Sequence, residues 1–444
     1  MKPLDIAGPN VIALATTLFQ LVSAIIYDEN IHELELVRDI GLVPALFSGF
    51  FAPDRSFKII AENPISSAQG HGVERSVYVK GLNLRVSDGL RWTPTSGMYS
   101  RPKFFGLPDV RREGTIRAFS IDGAWAALYM VTLGVGPDPI CPFLLLAATC
   151  KDRHWVADLS LEYIHALDPS AAKILAPWFE ITPDMVFKFP NDAQHPGLRL
   201  AAEFLPVALT EFIKERAPEL HRSLHCSLLC YFFFGHWDPY IHPEFIAFAK
   251  GFNIRLKGSQ TFFSHCDDFK NILAAVYNRR IKSVDDVLQR VVFLTSEPAS
   301  PIADLQHQMF QLRFVRWLRG VGYPRSVRNA YVPIEEFKAQ RHNPLIRAER
   351  FLYSVTEMLV IPLDEEFTLN IHLCRFLTNA AKPATNRPSL FFHDCTIEVA
   401  IPLNEWTDNI LLEPAAFNDP QKETEFDRWM SSEFSLQGGD YNAL

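Results

Sequence analysis

An α+β fold is predicted for this chain of 444 residues by three features of its apolar pattern. Val11, Leu14, Leu18, Leu21, Val22, Ile25 and Ile26 recur at the spacing of a half-buried helix. Thr115 to Ala148 and Leu224 to Phe234 read as further apolar helices. Near the C-terminus, Cys395, Ile397, Val399 and Ile401 alternate with Thr396, Glu398 and Ala400, the two-residue period of a strand. Apolar residues make up 48% of the chain and aromatic residues 12%, ample for the cores of the two or three domains that this length allows.

The formal net charge of −8 comes with no basic patch and argues against nucleic acid as the main partner. Seven cysteines, an odd number without a paired framework, fit a reducing, cytoplasmic location, with the nucleus also open. Met1-Lys-Pro-Leu-Asp5 has neither a basic n-region nor a small-residue cleavage site, so no secretory signal is expected. Val11 to Tyr27 raises the question of a membrane span. Thr16, Thr17, Gln20 and Ser23 interrupt it, and Asp5 and Asp28-Glu29 flank it, whereas a span needs about 20 apolar residues with basic flanks. A soluble helix capped by Asn10 is expected instead, followed by a second helix from Ile31 to Ile40 that stops at Gly41. As far as Val110, Val77–Val79 and Leu82–Val86 read as short strands between Gly, Pro and Ser.

Gly134-Val-Gly-Pro-Asp-Pro139 is a rigid connector without the lysine of a phosphate loop. His221, His225, Cys226 and Cys230 merit a metal check. The two pairs lie about 100° apart around a helix axis, too spread for one tetrahedral ion, so a buried helix with Tyr231 to Phe234 packing on two faces is expected. Leu294 to Ile302 reads as a linker. After it, Asp304 to Arg319 should form a helix with Leu305, Met309, Leu312, Val315 and Trp317 or Leu318 near its apolar face.

Ser389-Leu-Phe-Phe-His-Asp-Cys-Thr-Ile-Glu-Val-Ala-Ile-Pro402 is the stretch where chemistry is expected. It follows a proline-punctuated turn, Pro383 to Pro388, and delivers the sulfur of Cys395 from a loop into a strand. His393 and Cys395 fall on one side if the strand begins that early. A buried structural thiol is the alternative, since His225-Cys226 and His265-Cys266 repeat the pairing. The adjacent Asp394 disfavours the thiolate, and at an ordinary pKa near 8.5 only about 3% is ionised at pH 7. That fraction suffices if the sulfur accepts a group from an already activated thioester.

The segment resembles the C-terminal lobe of HECT-type ubiquitin ligases, which carry Leu-Pro-x-x-His-Thr-Cys before an apolar strand ending in proline. His393, Cys395, Val399, Ile401 and Pro402 match; Asp394 replaces the threonine and Ser389-Leu390 the Leu-Pro. Phe351 to Pro362 resembles the family's Phe-Val-Thr-Gly-Thr-Ser-x-x-Pro stretch, with Thr356 and Pro362 in place and Glu357 where the glycine stands. Ala247, Phe248, Gly251 and Phe252 are similar to its Ala-Phe-x-x-Gly-Phe run. Phe119–Tyr129, Pro139–Phe143, Leu167-Asp168-Pro169, Phe269–Tyr277 and Arg280–Val287 resemble further N-lobe segments in the same order, and Tyr441 after Asp440 resembles the family's C-terminal aromatic.

The resemblance implies a larger, mainly helical N-lobe with short strands at 111–293, a hinge at 294–302 and a smaller α/β C-lobe at 303–444; residues 1–110 are either part of the N-lobe or separate from it. It implies an E3 ubiquitin transferase in which Cys395 takes ubiquitin from a conjugating enzyme as a thioester and passes it to a substrate lysine. His393, Asp394, Thr356 and Pro402 would support the site, Asp394 as acceptor of the lysine proton. An aromatic-rich region at about Phe189 to Tyr240 would receive the conjugating enzyme. The partners implied are that enzyme, ubiquitin and a protein substrate, with no cofactor or metal. A catalytically silent HECT-like scaffold and a plain protein-interaction domain stay open.

Overall fold

The computed structural model describes residues 4–27, 55–59, 68–69, 71–104, 112–205, 209–254, 261–265, 268–295, 301–322, 343, 345–361, 367–375, 387–393, 397–413 and 422–436. The fold is α+β, mainly helical with small sheets. The chain divides into two compact units. One comprises Met1–Ile6, Val11–Arg55 and Val77–Arg279; the other comprises Ala7–Asn10, Ser56–Ser76 and Arg280–Leu444.

The chain opens with β1 (Leu4–Gly8), α1 (Val11–Tyr27), β2 (Arg55–Ile59), β3 (Ala68–Gln69) and α2 (His71–Val86), the three strands pairing in the order β1-β2-β3. A hairpin of β4 (Trp92–Pro94) and β5 (Ser100–Pro102) precedes, among the described residues, eight α-helices. These are α3 (Glu113–Leu133), α4 (Pro142–Thr149), α5 (Leu161–Leu167), α6 (Pro169–Phe179), α7 (Pro196–Phe204), α8 (Pro218–Phe234), α9 (Pro243–Phe252) and α10 (Phe269–Tyr277).

α1 spans the expected residues. Val11, Leu14, Leu18 and Val22 are buried, and Phe19 stacks on Trp125 at 3.9 Å. Thr16 and Thr17 return their hydroxyls to the carbonyls of Ile12 and Ala13. No described helix is long and apolar enough to cross a membrane. The expected helix from Ile31 to Ile40 lies outside the described residues.

The strands expected at Val77–Val79 and Leu82–Val86 are instead the body of α2. Gly81, between the two expected strands, serves packing: a Cβ there would lie 2.6 Å from the Trp125 ring, whose Nε1 donates to the Tyr78 carbonyl at 3.1 Å.

α3 is the axis of the first unit and is buried from Phe119 to Thr132. Its one buried charge, Asp122, is held by Arg85, by Arg91 Nη1 at 2.6 Å and by Trp92 Nε1 at 3.1 Å, so the low-dielectric cost of the carboxylate is offset by paired donors. Against it lies α9, which carries Ala247, Phe248, Gly251 and Phe252. A Cβ on Gly251 would sit 1.8 Å from the Ser120 carbonyl oxygen, and one on Gly123 would sit 2.1 Å from that of Phe248. Backbone therefore meets backbone, and Ser120 Oγ donates to Ala247 O across the seam. The connector 134–139 is likewise a packing device. Gly134 closes α3 in the left-handed conformation (φ 65°), and a Cβ on Gly136 would meet the Tyr277 ring, whose hydroxyl donates to Ile140 O at 3.0 Å.

The second unit holds α11 (Val284–Leu288), β6 (Val291–Thr295), α12 (Pro301–Leu318), α13 (Leu345–Thr356), β7 (Leu369–Cys374), β8 (Phe391–His393), β9 (Glu398–Pro402), α14 (Glu405–Leu412) and α15 (Glu425–Leu436). Its sheet runs β6-β7-β9-β8. β6 and β9 are parallel to β7, and β8 is antiparallel to β9. Leu369, Ile371, Leu373, Val399 and Ile401 face a core completed by Phe310, Phe314, Trp317, Phe351, Phe426 and Trp429.

Two expectations change here. The last segment of the second unit starts at Arg280, so α11 and β6, which the sequence groups with 111–293, fall in it; the described ends of the expected hinge 294–302 lie in β6 and α12. The cause is non-local, because β6 acquires its partner 78 positions on, Val291 facing Leu369. The buried face of α12 is only partly the expected one: Trp317 and Leu318 are buried and Met309 packs against the core, as expected. Ala303, His307, Phe310, Arg313, Phe314 and Trp317 face inward, while Leu305 and Leu312 are exposed. Both faces of this helix carry apolar residues, and its aromatic face is the one that fills the core.

Candidate active site

β8 and β9 are joined by the chain segment that contains Cys395. Their register pairs Phe391 with Ala400, Phe392 with Val399 and His393 with Glu398, so residues 394–397 connect the two strands. Among the described residues, β8 is the outermost strand on this side of the sheet. Cys395 and Asp394 lie outside the described residues, as does Pro362. His393 ends β8 with its Cα opposite Glu398. Ile397 has φ 53°, left-handed backbone that a β-branched residue enters only at a cost of about 1–3 kcal/mol. The strand therefore begins at Glu398 rather than at Cys395, and the continuous alternation expected from 395 is interrupted by this turn.

The last helix fixes the entry to β8. Glu433 of α15 accepts from the backbone N–H of Leu390 at 3.2 Å and from Arg387 Nη2 at 3.4 Å, and Trp429 Nε1 donates to Pro388 O at 3.1 Å. Burial pushes the Glu433 carboxyl above its ordinary pKa, with the Leu390 N–H and Arg387 opposing that shift. The exit is fixed as well. Leu403 N–H donates to Cys374 O, and Asn404 and Thr407 form a capping box that starts α14 directly after Pro402. Pro402 ends β9 with its Cα opposite Cys374, which suits a residue that cannot donate to the ladder.

On the face of the sheet turned away from the core, Glu398 Oε1 lies 3.2 Å from His372 Nδ1. The pair is diagonal, since the backbone partners are Asn370 for Glu398 and Ala400 for His372. Both side chains are partly open to solvent, and Val292 and Leu294 of β6 are exposed beside them.

Thr356 is buried and does not reach this face. Its hydroxyl donates to Leu352 O at 2.7 Å and accepts from Met358 N–H at 3.1 Å, closing α13. The next residue, Glu357, has φ 57° and sends its N–H to Tyr353 O, a left-handed helix end. The structure thus brings His393 and Pro402 onto one hairpin and gives Thr356 a structural place in the adjoining helix. His372, Glu398 and the left-handed Ile397 were not singled out from the sequence; the polar residues Asn370 and His372 alternating inside an apolar strand were the available signal.

The helix α8 cluster is structural in its contacts. Trp178 Nε1 donates to His225 Nδ1 at 2.9 Å, and Cys226 donates to Arg153 O at 3.4 Å. Burial, with His221 and Arg222 nearby, holds His225 down to about 4. No family model matches the chain, and no curated protein does either.

Proposed function

We propose that this chain is a HECT-type ubiquitin transferase in which Cys395 accepts ubiquitin from a conjugating enzyme and hands it to a substrate lysine. The observation that carries this reading is the hairpin: residues 394–397 join an outermost strand to its neighbour, anchored by α15 on one side and by the Asn404 cap on the other. A thiol on a short connection between anchored strands is positioned for exchange with a partner's thioester, a step in which placement lowers the barrier more than thiolate content does. Two positions of the resemblance sit where the local backbone favours glycine: Glu357, a departure from the family pattern, occupies a left-handed position, and Gly251, a match to it, occupies a seam where nothing larger fits.

In this reading the first unit receives the conjugating enzyme and the second carries Cys395. Phe187 N–H bonds to Phe212 O, and Arg216 N–H to Pro183 O, so 183–189 runs beside 212–216. There Val186, Phe189 and Ile213 are exposed, with Asp184, Glu211, Glu215, Lys188 and Lys214 around them, Lys214 pairing with Glu211 at 3.6 Å. An apolar patch with a charged rim of both signs suits a partner with apolar anchors and a polar surround.

The test is a charging assay. Incubated with ubiquitin-loaded conjugating enzymes, the full chain is expected to gain a ubiquitin adduct that thiol reagent removes and Cys395→Ala abolishes. Binding of a conjugating enzyme without any thiol-labile adduct would favour the silent scaffold instead.

A further inference from the structure

α12 carries Ile302, Leu305, Met309 and Leu312 at a 3-4-3 spacing, which sets them within about 80° of one another around the helix axis. The core of the second unit is filled by a different face, with Phe310, Phe314 and Trp317. Ile302 is 72% exposed, Leu305 57% and Leu312 72%, while Met309 rests against the core with only part of its side chain covered. We propose that this stripe is a self-association seam through which two copies of the chain pair, α12 against α12, antiparallel about a two-fold axis.

The stripe is its own complement. With the axis level with His307, Ile302 of one copy meets Leu312 of the other and Leu305 meets Met309, so every apolar residue of the seam finds an apolar partner. Gln308 on one flank and Gln306 on the other then face their own counterparts. Both are uncharged, so two copies meet without like-charge repulsion and no charge selects a foreign helix. Arg316 and Arg319 continue the spacing and end the seam, Arg316 held by Asp427 at 2.8 Å and Arg319 by Asp285 at 3.1 Å. A parallel pair would set each arginine against its counterpart, whereas the antiparallel pair keeps them at opposite ends. The exposed Asp304 points about 120° from the middle of the stripe. On the Gln306 side the charges are already paired: Arg375 donates to Gln306 and lies 3.4 Å from Asp408 of α14, which also presents the exposed Leu412.

The size of the stripe sets the strength of the pairing. Its four residues leave roughly 400 Å² of apolar surface open, the scale of the largest patch on an ordinary monomer. Pairing removes roughly 800 Å² in total, short of the roughly 1,200–2,000 Å² of a stable complex, so the dimer forms with a dissociation constant on the order of 10–100 µM. It closes at two copies, because each stripe is used up by the other.

Sedimentation equilibrium of the full chain from about 1 to about 300 µM reads the association. The weight-average mass is expected to rise from 50.5 kDa towards twice that value. Leu305→Glu combined with Leu312→Glu should weaken association at least about 10-fold, with a thermal midpoint at low concentration within about 2 °C of wild type, because both side chains are exposed. Leu90→Glu, at a residue 77% exposed in the other unit, should associate as wild type does. Gln308→Cys should be joined to its own counterpart by a short bismaleimide, beyond the level seen in wild type, as the antiparallel seam requires. A chain that keeps single-copy mass at every concentration would leave the stripe to a helix of another protein and overturn the proposal. A dimer that survives the double glutamate variant, that Leu90→Glu weakens as much, or that leaves Gln308→Cys unjoined would overturn it too. No readout involves ubiquitin, so the result is independent of the transferase reading.

Discussion

Adding one methyl group at Gly251 tests the packing that organises the first unit. The Cβ of Gly251→Ala would lie 1.8 Å from the Ser120 carbonyl oxygen and 2.7 Å from its carbon. A carbon–oxygen contact needs about 3.3 Å, so α9 must move off α3 by roughly 1.5 Å. Backbone faces backbone there, and neither side has a rotamer to give. Overpacking of this kind costs about 2–3 kcal/mol, and stretching the Ser120–Ala247 hydrogen bond adds about 1 kcal/mol. A loss of about 3 kcal/mol lowers the midpoint of a unit this size by roughly 6–12 °C. Thermal unfolding followed by tryptophan fluorescence reads it, because Trp125 reports on α3. The control is Gly114→Ala in the first turn of α3, where a Cβ meets nothing within 4 Å; it should be neutral or stabilise by up to about 1 kcal/mol. A Gly251→Ala midpoint equal to that of Gly114→Ala would refute the reasoning.

Three further outcomes are expected. His225 is held neutral in the fold at about 4, below its unfolded value of 6.5, and its Nδ1 can accept from Trp178 only when unprotonated; its stabilisation is full above pH 6.5 and is lost as pH falls towards 4, on the order of 3 kcal/mol, which acid titration of wild type against His225→Asn would reveal as a flatter profile in the variant. On α12, Phe310→Ala should cost about 3–5 kcal/mol in denaturant unfolding, while Leu312→Lys, at 72% exposure, should stay within about 0.5 kcal/mol; comparable losses would restore the apolar face first expected. Glu357→Gly should raise the unfolding free energy by about 1 kcal/mol in denaturant titration, since glycine enters the left-handed region without the penalty that glutamate bears, and a loss of stability would count against that account of the helix end.

Local pattern carried much of the fold. α1 follows from its apolar stripe, and α8 falls where residues 224–234 pointed. What failed depended on distant partners. α2 looked like strands because Val77 and Val79 are β-branched and Gly81 stands between the two runs, until Trp125 supplies the reason for the glycine. β6 could not be assigned to its unit without β7, and α12 has two apolar faces that only the core distinguishes. At the candidate site the strand after Cys395 was legible, whereas the turn at Ile397 was not, because a β-branched residue is the last one expected at positive φ. The Glu398–His372 pair joins segments 26 positions apart, so neither residue alone stood out.

Intact mass of the full chain after incubation with ubiquitin-loaded conjugating enzyme, followed by peptide mapping, tests the central claim most directly. The account predicts a gain of one ubiquitin, labile to thiol and mapped to Cys395. A chain whose mass never changes across a panel of conjugating enzymes, or an adduct that persists in Cys395→Ala, would contradict it.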